Sequence, residues 1–310
     1  MILTVTPNPA VDMTYQLGSF DRGESIRVDA AAVRAGGKGL NVARVARQTG
    51  SEVVVVTTAG GATGRELADD LVASGLLHRV VPVAPATRRS VAIVDASRGE
   101  TTIMNERGHA LSSNERQRLA AAILDAMASQ EPAIRCVVGA GSLPPDTPDT
   151  FYADLVRDAH DRSIPAIIDA VGPALLLAAK AGADVVKPNR SELQHTTGET
   201  DPQAGARRLI DHGARLVLVS LGEDGMLAVD ARDPDHVYRA RLPRALDGNP
   251  TGAGDAGVAA VAQCIAEGRR DPSTVLRRAT AYSAAAVLMP VAGEIAVNYR
   301  ELELLLQVTG

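Results

Sequence analysis

Six short runs rich in β-branched residues, separated by longer stretches with helical spacing, fix the class of fold open to this chain. The runs are Ile2 to Thr6, Val53 to Thr57, Cys136 to Val138, Ala166 to Ile168, Val185 to Val186 and Leu216 to Val219. Helical patterns lie near 40–49, 64–74, 114–129, 148–161, 174–181, 190–197, 202–212 and 253–267. Such alternation specifies an α/β fold with a mainly parallel sheet and helices on both faces. Ligands of such sheets bind beyond the carboxyl ends of the strands, so the chemistry is to be sought there. Two stretches break the rhythm. Residues 11–35 and 86–107 read as alternating strands, as in Arg89-Ser90-Val91-Ala92-Ile93-Val94. They do not join a parallel core easily and read as a small antiparallel β flap, a lid over the pocket; plain hairpins are the alternative. At 310 residues, 45% of them hydrophobic, a single domain spanning 1–310 with this lid is sufficient.

A net charge of -5 gives no general attraction for nucleic acid or an anionic membrane, and small molecules are the expected partners. With 2% aromatics and no Trp, the base-stacking platforms of single-strand binders are not expected. Met1-Ile2-Leu3-Thr4 does not open like a signal peptide, and no apolar run reaches the roughly 18 residues of a membrane span. Cys136 and Cys264 lack CxxC spacing, so a reducing, cytoplasmic setting is expected. Only Lys38, Lys180 and Lys187 among the 32 basic residues are lysines. An arginine-biased genome accounts for that equally well as a need at Lys38 for a compact charge among glycines.

The strongest local motif is Asn249-Pro250-Thr251-Gly252-Ala253-Gly254-Asp255, which runs into an apolar, small-residue helix. Its glycines permit a sharp turn whose amides point outward at a helix N-terminus, suiting a phosphate or a developing oxyanion. Asp255 in the first turn reads alone as a helix cap as readily as a catalytic group. Gly36-Gly37-Lys38-Gly39-Leu40-Asn41 opens another helix with close backbone approach, one cation, and an Asn with donor and acceptor for a polyol. It is neither a Walker A loop nor a Rossmann fingerprint. Thr6-Pro7-Asn8-Pro9-Ala10-Val11-Asp12 projects Asp12 past a strand end, and Gly139-Ala140-Gly141-Ser142-Leu143-Pro144 repeats the pattern of small residues at such an end. Lys187-Pro188-Asn189-Arg190-Ser191-Glu192 sets Asn189 and Glu192 three apart on a starting helix, fit either to reach a hydrated Mg²⁺ or to cap that helix. Ser220-Leu221-Gly222-Glu223-Asp224-Gly225 closes a strand with a tight turn that either covers a nucleotide or starts a hairpin.

In this order and spacing, over nearly the whole chain, these motifs resemble the ribokinase/PfkB carbohydrate kinases, one signature running from Gly36 to Gly60 and the other around Asp255. The Lys in Gly37-Lys38-Gly39 is similar to the 1-phosphofructokinase and tagatose-6-phosphate kinase branch. The resemblance implies a ribokinase-like fold and ATP-dependent phosphorylation of a ketohexose phosphate, fructose 1-phosphate or tagatose 6-phosphate, with Mg²⁺. It implies that Asp255 is the base and that the amides of Gly252, Ala253 and Gly254 stabilise the transferring charge. Asp12, Gly37, Lys38 and Asn41 would hold the sugar; Arg27, Lys38, Arg88 and Ser142 would meet its phosphate. Asn189 and Glu192 would orient the metal through water, while Lys187, Asn189, Ser220, Gly222 and Gly225 would border the nucleotide. It also suggests a homodimer through the lid.

The chain departs from that branch at Asn249-Pro250-Thr251 and at Arg107 and His109, both near where the acceptor is chosen. A kinase for an unphosphorylated sugar or nucleoside therefore stays open, and a non-catalytic nucleotide- or sugar-binding protein stands further off. A dinucleotide oxidoreductase is disfavoured, because no GxGxxG follows the first strand.

Overall fold

The computed structural model describes residues 1–21, 23–129 and 131–310. The strands, in chain order, are β1 (Ile2–Thr6), β2 (Ala10–Leu17), β3 (Ala32–Gly36), β4 (Val53–Ala59), β5 (Leu77–Pro82), β6 (Arg88–Asp95), β7 (Glu100–Asn105), β8 (Cys136–Ala140), β9 (Ala166–Asp169), β10 (Val185–Val186), β11 (Leu216–Ser220), β12 (Met226–Asp230), β13 (Asp233–Arg241) and β14 (Gln307–Thr309). The helices are α1 (Lys38–Gln48), α2 (Gly61–Ala73), α3 (Ser113–Met127), α4 (Phe151–His160), α5 (Pro173–Lys180), α6 (Arg190–Thr197), α7 (Pro202–Asp211), α8 (Ala253–Ala266), α9 (Pro272–Val287) and α10 (Tyr299–Leu305).

Ten strands form one sheet in the order β14-β13-β12-β11-β10-β9-β8-β1-β4-β5. From β5 to β11 every pairing is parallel; β11 to β14 pair antiparallel. The parallel part is the α/β core expected from the alternation. Every residue of β1 and β4 is buried, as strands covered on both faces must be. Successive residues serve opposite faces. Ile2, Val53, Val55 and Val138 pack with α1, α8 and α9, whereas Leu3, Val54, Val56 and Val137 pack with α3, α4 and α7. Local chemistry starts the helices: Ser112 and Glu115 form a reciprocal capping box on α3, and Asp201 and Asp271 cap α7 and α9 ahead of Pro202 and Pro272.

The lid strands make a separate four-stranded sheet, ordered β3-β2-β6-β7. Its outer pairs, β2 with β3 and β6 with β7, are antiparallel as expected, but the central pair of β2 with β6 is parallel. Each central strand emerges from the carboxyl edge of the main sheet, β2 after β1 and β6 after β5, so the two leave in the same direction. At the end of β3, Gly36 passes the Asp12 carboxyl so closely that a Cβ there would stand 1.9 Å from its Cγ. A side chain there would displace the Asp12 carboxyl, which lines the cleft beneath this sheet.

Candidate active site

A cleft of about 970 Å³ lies between the carboxyl ends of the parallel strands and the four-stranded sheet. It adjoins a second hollow of about 390 Å³ that shares Ser220, Gly222, Pro250, Ala253 and Gly254 with it. Most of the residues expected at strand ends converge here: Asp12, Gly37, Lys38, Asn41, Arg88, Ser142, Lys187, Asn189, Glu192, Ser220, Gly222 and the stretch Gly252 to Asp255 all line the cleft.

Asp255 sits in the first turn of α8, and Gly252 ahead of it takes the left-handed conformation at φ 84°. Asp255 is 6% exposed. Asn41 Nδ2 donates to Asp255 Oδ2 at 2.8 Å, so Asn41 orients this carboxyl as well as facing the cleft. Burial pushes the Asp255 pKa up to about 7; Lys38 opposes the rise, Asp169 adds to it, and the Asn41 bond and Lys187 again oppose it. Of the three amides ahead of Asp255, that of Ala253 donates back to the Pro250 carbonyl at 3.1 Å and closes the turn. The expectation of three free amides is thereby reduced to those of Gly252 and Gly254. The Lys187 ammonium reinforces the cradle: a Cβ on Gly254 would stand 3.4 Å from Lys187 Nζ.

Lys38 is not a free cation. Its Nζ lies 3.0 Å from Asp169 Oδ1 and 3.1 Å from Glu192 Oε1, and Asp169 also has Lys187 Nζ at 4.0 Å. Burial works against the Lys38 charge, yet Asp169, Glu192 and Asp255 outweigh it and hold the ammonium well above the usual lysine range. Burial likewise opposes ionisation of Asp169, but Lys38 and Lys187 keep that carboxyl below its ordinary value. Asp169 was missed in the sequence, although its place at the end of β9, after Ala166-Ile167-Ile168, is the signal that marked the other sites.

Asn189 and Glu192 form the reciprocal cap that was one reading of their spacing. Glu192 N donates to Asn189 Oδ1 at 2.8 Å and Asn189 N to Glu192 Oε2 at 2.9 Å. The other oxygen of Glu192 faces Lys38 in the cleft. Among the described residues no three His, Cys, Asp or Glu side chains converge as a metal cage.

At the lid side, burial raises the Asp12 pKa to about 6, against the pull of Arg88, a bond from the Gly37 amide, and Arg44. The Arg88 guanidinium donates to the Asn8 and Glu106 carbonyls, and Asn8 Nδ2 donates to Ser142 Oγ at 3.1 Å and to the Arg107 carbonyl at 3.2 Å. Arg27 departs from expectation. It lies on the exposed connection between β2 and β3 and does not line the cleft; Arg34 and Arg107, which were not assigned to the phosphate, do. Gly225 lines the second hollow, whose wall includes the apolar side chains of Met226, Leu242, Leu246 and Val287.

A family model described as pfkB family carbohydrate kinase matches residues 5–296. The tagatose-6-phosphate kinase of Staphylococcus epidermidis is 30% identical over 290 residues, covering 91% of this chain and 90% of that protein. The 1-phosphofructokinase of Xanthomonas campestris pv. campestris is 34% identical over 291 residues, with 91% and 89% covered. The solved structure of phosphofructokinase-2 from Escherichia coli in complex with fructose-6-phosphate is similar at a TM-score of 0.84 and 27% identity, over 98% of both chains. With most of its length matched and its strand-end residues gathered around one cleft, this chain belongs to the pfkB family of carbohydrate kinases.

Proposed function

We propose that the chain transfers the γ-phosphoryl group of ATP to a primary hydroxyl of a ketohexose phosphate, fructose 1-phosphate or tagatose 6-phosphate, giving the bisphosphate. The observation that carries this reading is Asp255, a buried carboxyl held by Asn41 at a helix N-terminus, in one cleft with Lys38, Arg34, Arg88 and Arg107. The names of the two curated relatives support the same acceptor class.

In this mechanism Asp12 and Asn41 hold sugar hydroxyls, and Gly37 gives the acceptor close backbone approach. Arg88, Ser142 and Lys38 meet the phosphate the acceptor already carries. Asp255 takes the proton of the attacking hydroxyl, and the amides of Gly252 and Gly254 with the Lys187 ammonium receive the transferring charge. Ser220, Gly222 and Gly225 border the nucleotide, whose base fits the apolar second hollow. Mg²⁺ is an ion held largely by substrate phosphates and its own waters, and Asn189 and Glu192, both lining the cleft, would reach it through water. When bound, it would neutralise the β and γ oxygens. Residues 1–310 then act as one kinase unit with β2, β3, β6 and β7 as its lid. Exposed Val33 and Met104 on that sheet support a homodimer through it, and a monomer mass on gel filtration would remove that proposal. The setting proposed for the chain is cytoplasmic; no helix among the described residues is long and apolar enough to cross a membrane.

An acceptor screen by coupled ADP release, comparing fructose 1-phosphate, tagatose 6-phosphate and fructose 6-phosphate by kcat/KM, tests the reading. ADP release with none of them rejects it. Loss of a charged hydrogen bond costs about 1.5–3 kcal/mol, so Arg88→Ala raises KM for the sugar phosphate by about 10- to 100-fold and leaves KM for ATP nearly unchanged. An unchanged sugar-phosphate KM would instead favour an unphosphorylated sugar or nucleoside as acceptor.

A further inference from the structure

The lid and the transfer loop meet at one side chain. Asn249 is 8% exposed and stands three residues ahead of Gly252. Its Oδ1 accepts from the Thr251 amide at 3.1 Å and from Thr101 Oγ1 at 3.4 Å, and its Nδ2 donates to the Pro290 carbonyl at 3.1 Å. Thr101 belongs to β7 of the lid. The Pro290 carbonyl also accepts from Gln16 Nε2, on β2 of the same sheet, at 3.2 Å. Two lid strands are thus hydrogen-bonded to one amide and its carbonyl partner, and that same amide fixes the turn that aims Gly252 and Gly254.

The lid hairpin walls both hollows as well. Ser90, Ala92 and Ile103 line the main cleft, and Gly99 at the hairpin turn lines the hollow assigned to the nucleotide. Both hollows therefore border the element that Asn249 holds. The Thr101 contact, at 3.4 Å, is long for an O–H···O bond.

We propose that Asn249 is a positioning residue that couples lid seating to the geometry of the phosphoryl-transfer loop. With β2 and β7 seated, Thr101 and Gln16 load the Asn249–Pro290 junction and Asn249 holds the Thr251 amide in place. With the lid displaced, the loop loses one side of its support and the amides at Gly252 and Gly254 fall out of register. Phosphoryl transfer then waits for a seated lid, which protects ATP from attack by water when no acceptor is bound. This inference rests on the phosphoryl-transfer reading of the cleft.

The test compares Thr101→Val, Thr101→Ser and Asn249→Ala in acceptor-dependent ADP release and in amide hydrogen exchange over residues 249–255. Removing one neutral hydrogen bond predicts a kcat about fivefold lower in Thr101→Val, with KM for both substrates little changed. Exchange in 249–255 quickens in the same variant. Thr101→Ser keeps the hydroxyl and restores both readouts, and Asn249→Ala, which loses all three bonds, falls further than Thr101→Val. Wild-type kcat and wild-type exchange in Thr101→Val overturn the coupling. If the wild-type protein releases no ADP with any sugar phosphate, the functional reading fails separately, and exchange in Thr101→Val still decides whether the lid steadies the loop.

Discussion

Replacing Asp255 by asparagine lowers turnover by at least about a hundredfold, the usual scale of a lost general base, while sugar-phosphate binding stays near that of the wild type. The amide keeps an oxygen for the Asn41 Nδ2 bond, so the change removes proton acceptance with little disturbance of the fold. The pH dependence makes the expectation sharper. A base works only when ionised, so wild-type kcat/KM falls as pH drops through about 7, and Asp255→Asn loses that limb. Stability moves the opposite way. The folded-state pKa of Asp255 is raised, so its favourable contribution is complete below the ordinary carboxylate range and is lost as pH rises through about 7. Asp255→Asn escapes that loss. It should melt higher than the wild type at pH 8, by no more than about 4 kcal/mol in stability, and no higher near pH 4. Near-normal turnover, or an acid limb that survives the substitution, would remove Asp255 from the role of base.

Much of this site was legible because several of its residues directly follow an apolar strand run. Val185-Val186 before Lys187 and Leu216 to Val219 before Ser220 mark positions that the sheet then brings to one edge. Asp169 obeys the same rule, but the turn residues after it, Gly172-Pro173, come three positions further on and do not mark it directly. Partnerships were less legible than positions. Lys38 and Asp169 lie far apart in sequence, and only the parallel order β1-β8-β9 sets α1 beside the end of β9. The direction of the central lid pair was hidden for the same reason, since it depends on where β2 and β6 leave the main sheet. Beyond 267 the sequence carries a fair helical signal: Val275, Leu276, Ala279, Tyr282, Ala285 and Ala286 recur at helical spacing and are buried along α9. The polar run Asp233-Pro234-Asp235-His236 opening β13 masked that strand, which buries only Ala240.

Lys38→Met separates what the lysine does for the fold from what it does for the reaction. Asp169, 1% exposed, would keep only Lys187 at 4.0 Å as a counter-charge, and Glu192 would keep only its cap. Breaking a buried pair from one side costs about 3–5 kcal/mol; the lower end applies here because the Lys38 side chain is 35% exposed. The loss is greatest at neutral pH and above and shrinks in acid. The depressed pKa of Asp169 stabilises the wild-type fold only above the ordinary carboxylate range, and in acid protonation removes that contribution from the wild type and relieves the uncompensated charge in the variant. Asp169→Asn added to Lys38→Met leaves no uncompensated charge and regains most of the stability, a coupling that a double-mutant cycle of melting curves reads directly. Activity does not return with it. The phosphate of the acceptor still lacks its ammonium, so kcat/KM stays about 10- to 100-fold low. Since Lys38 also lowers the Asp255 pKa, the acid limb of the single variant moves to higher pH. A double variant no more stable than Lys38→Met would show that the pair with Asp169 is not what holds this edge of the cleft together, and an unmoved acid limb would separate Lys38 from the base.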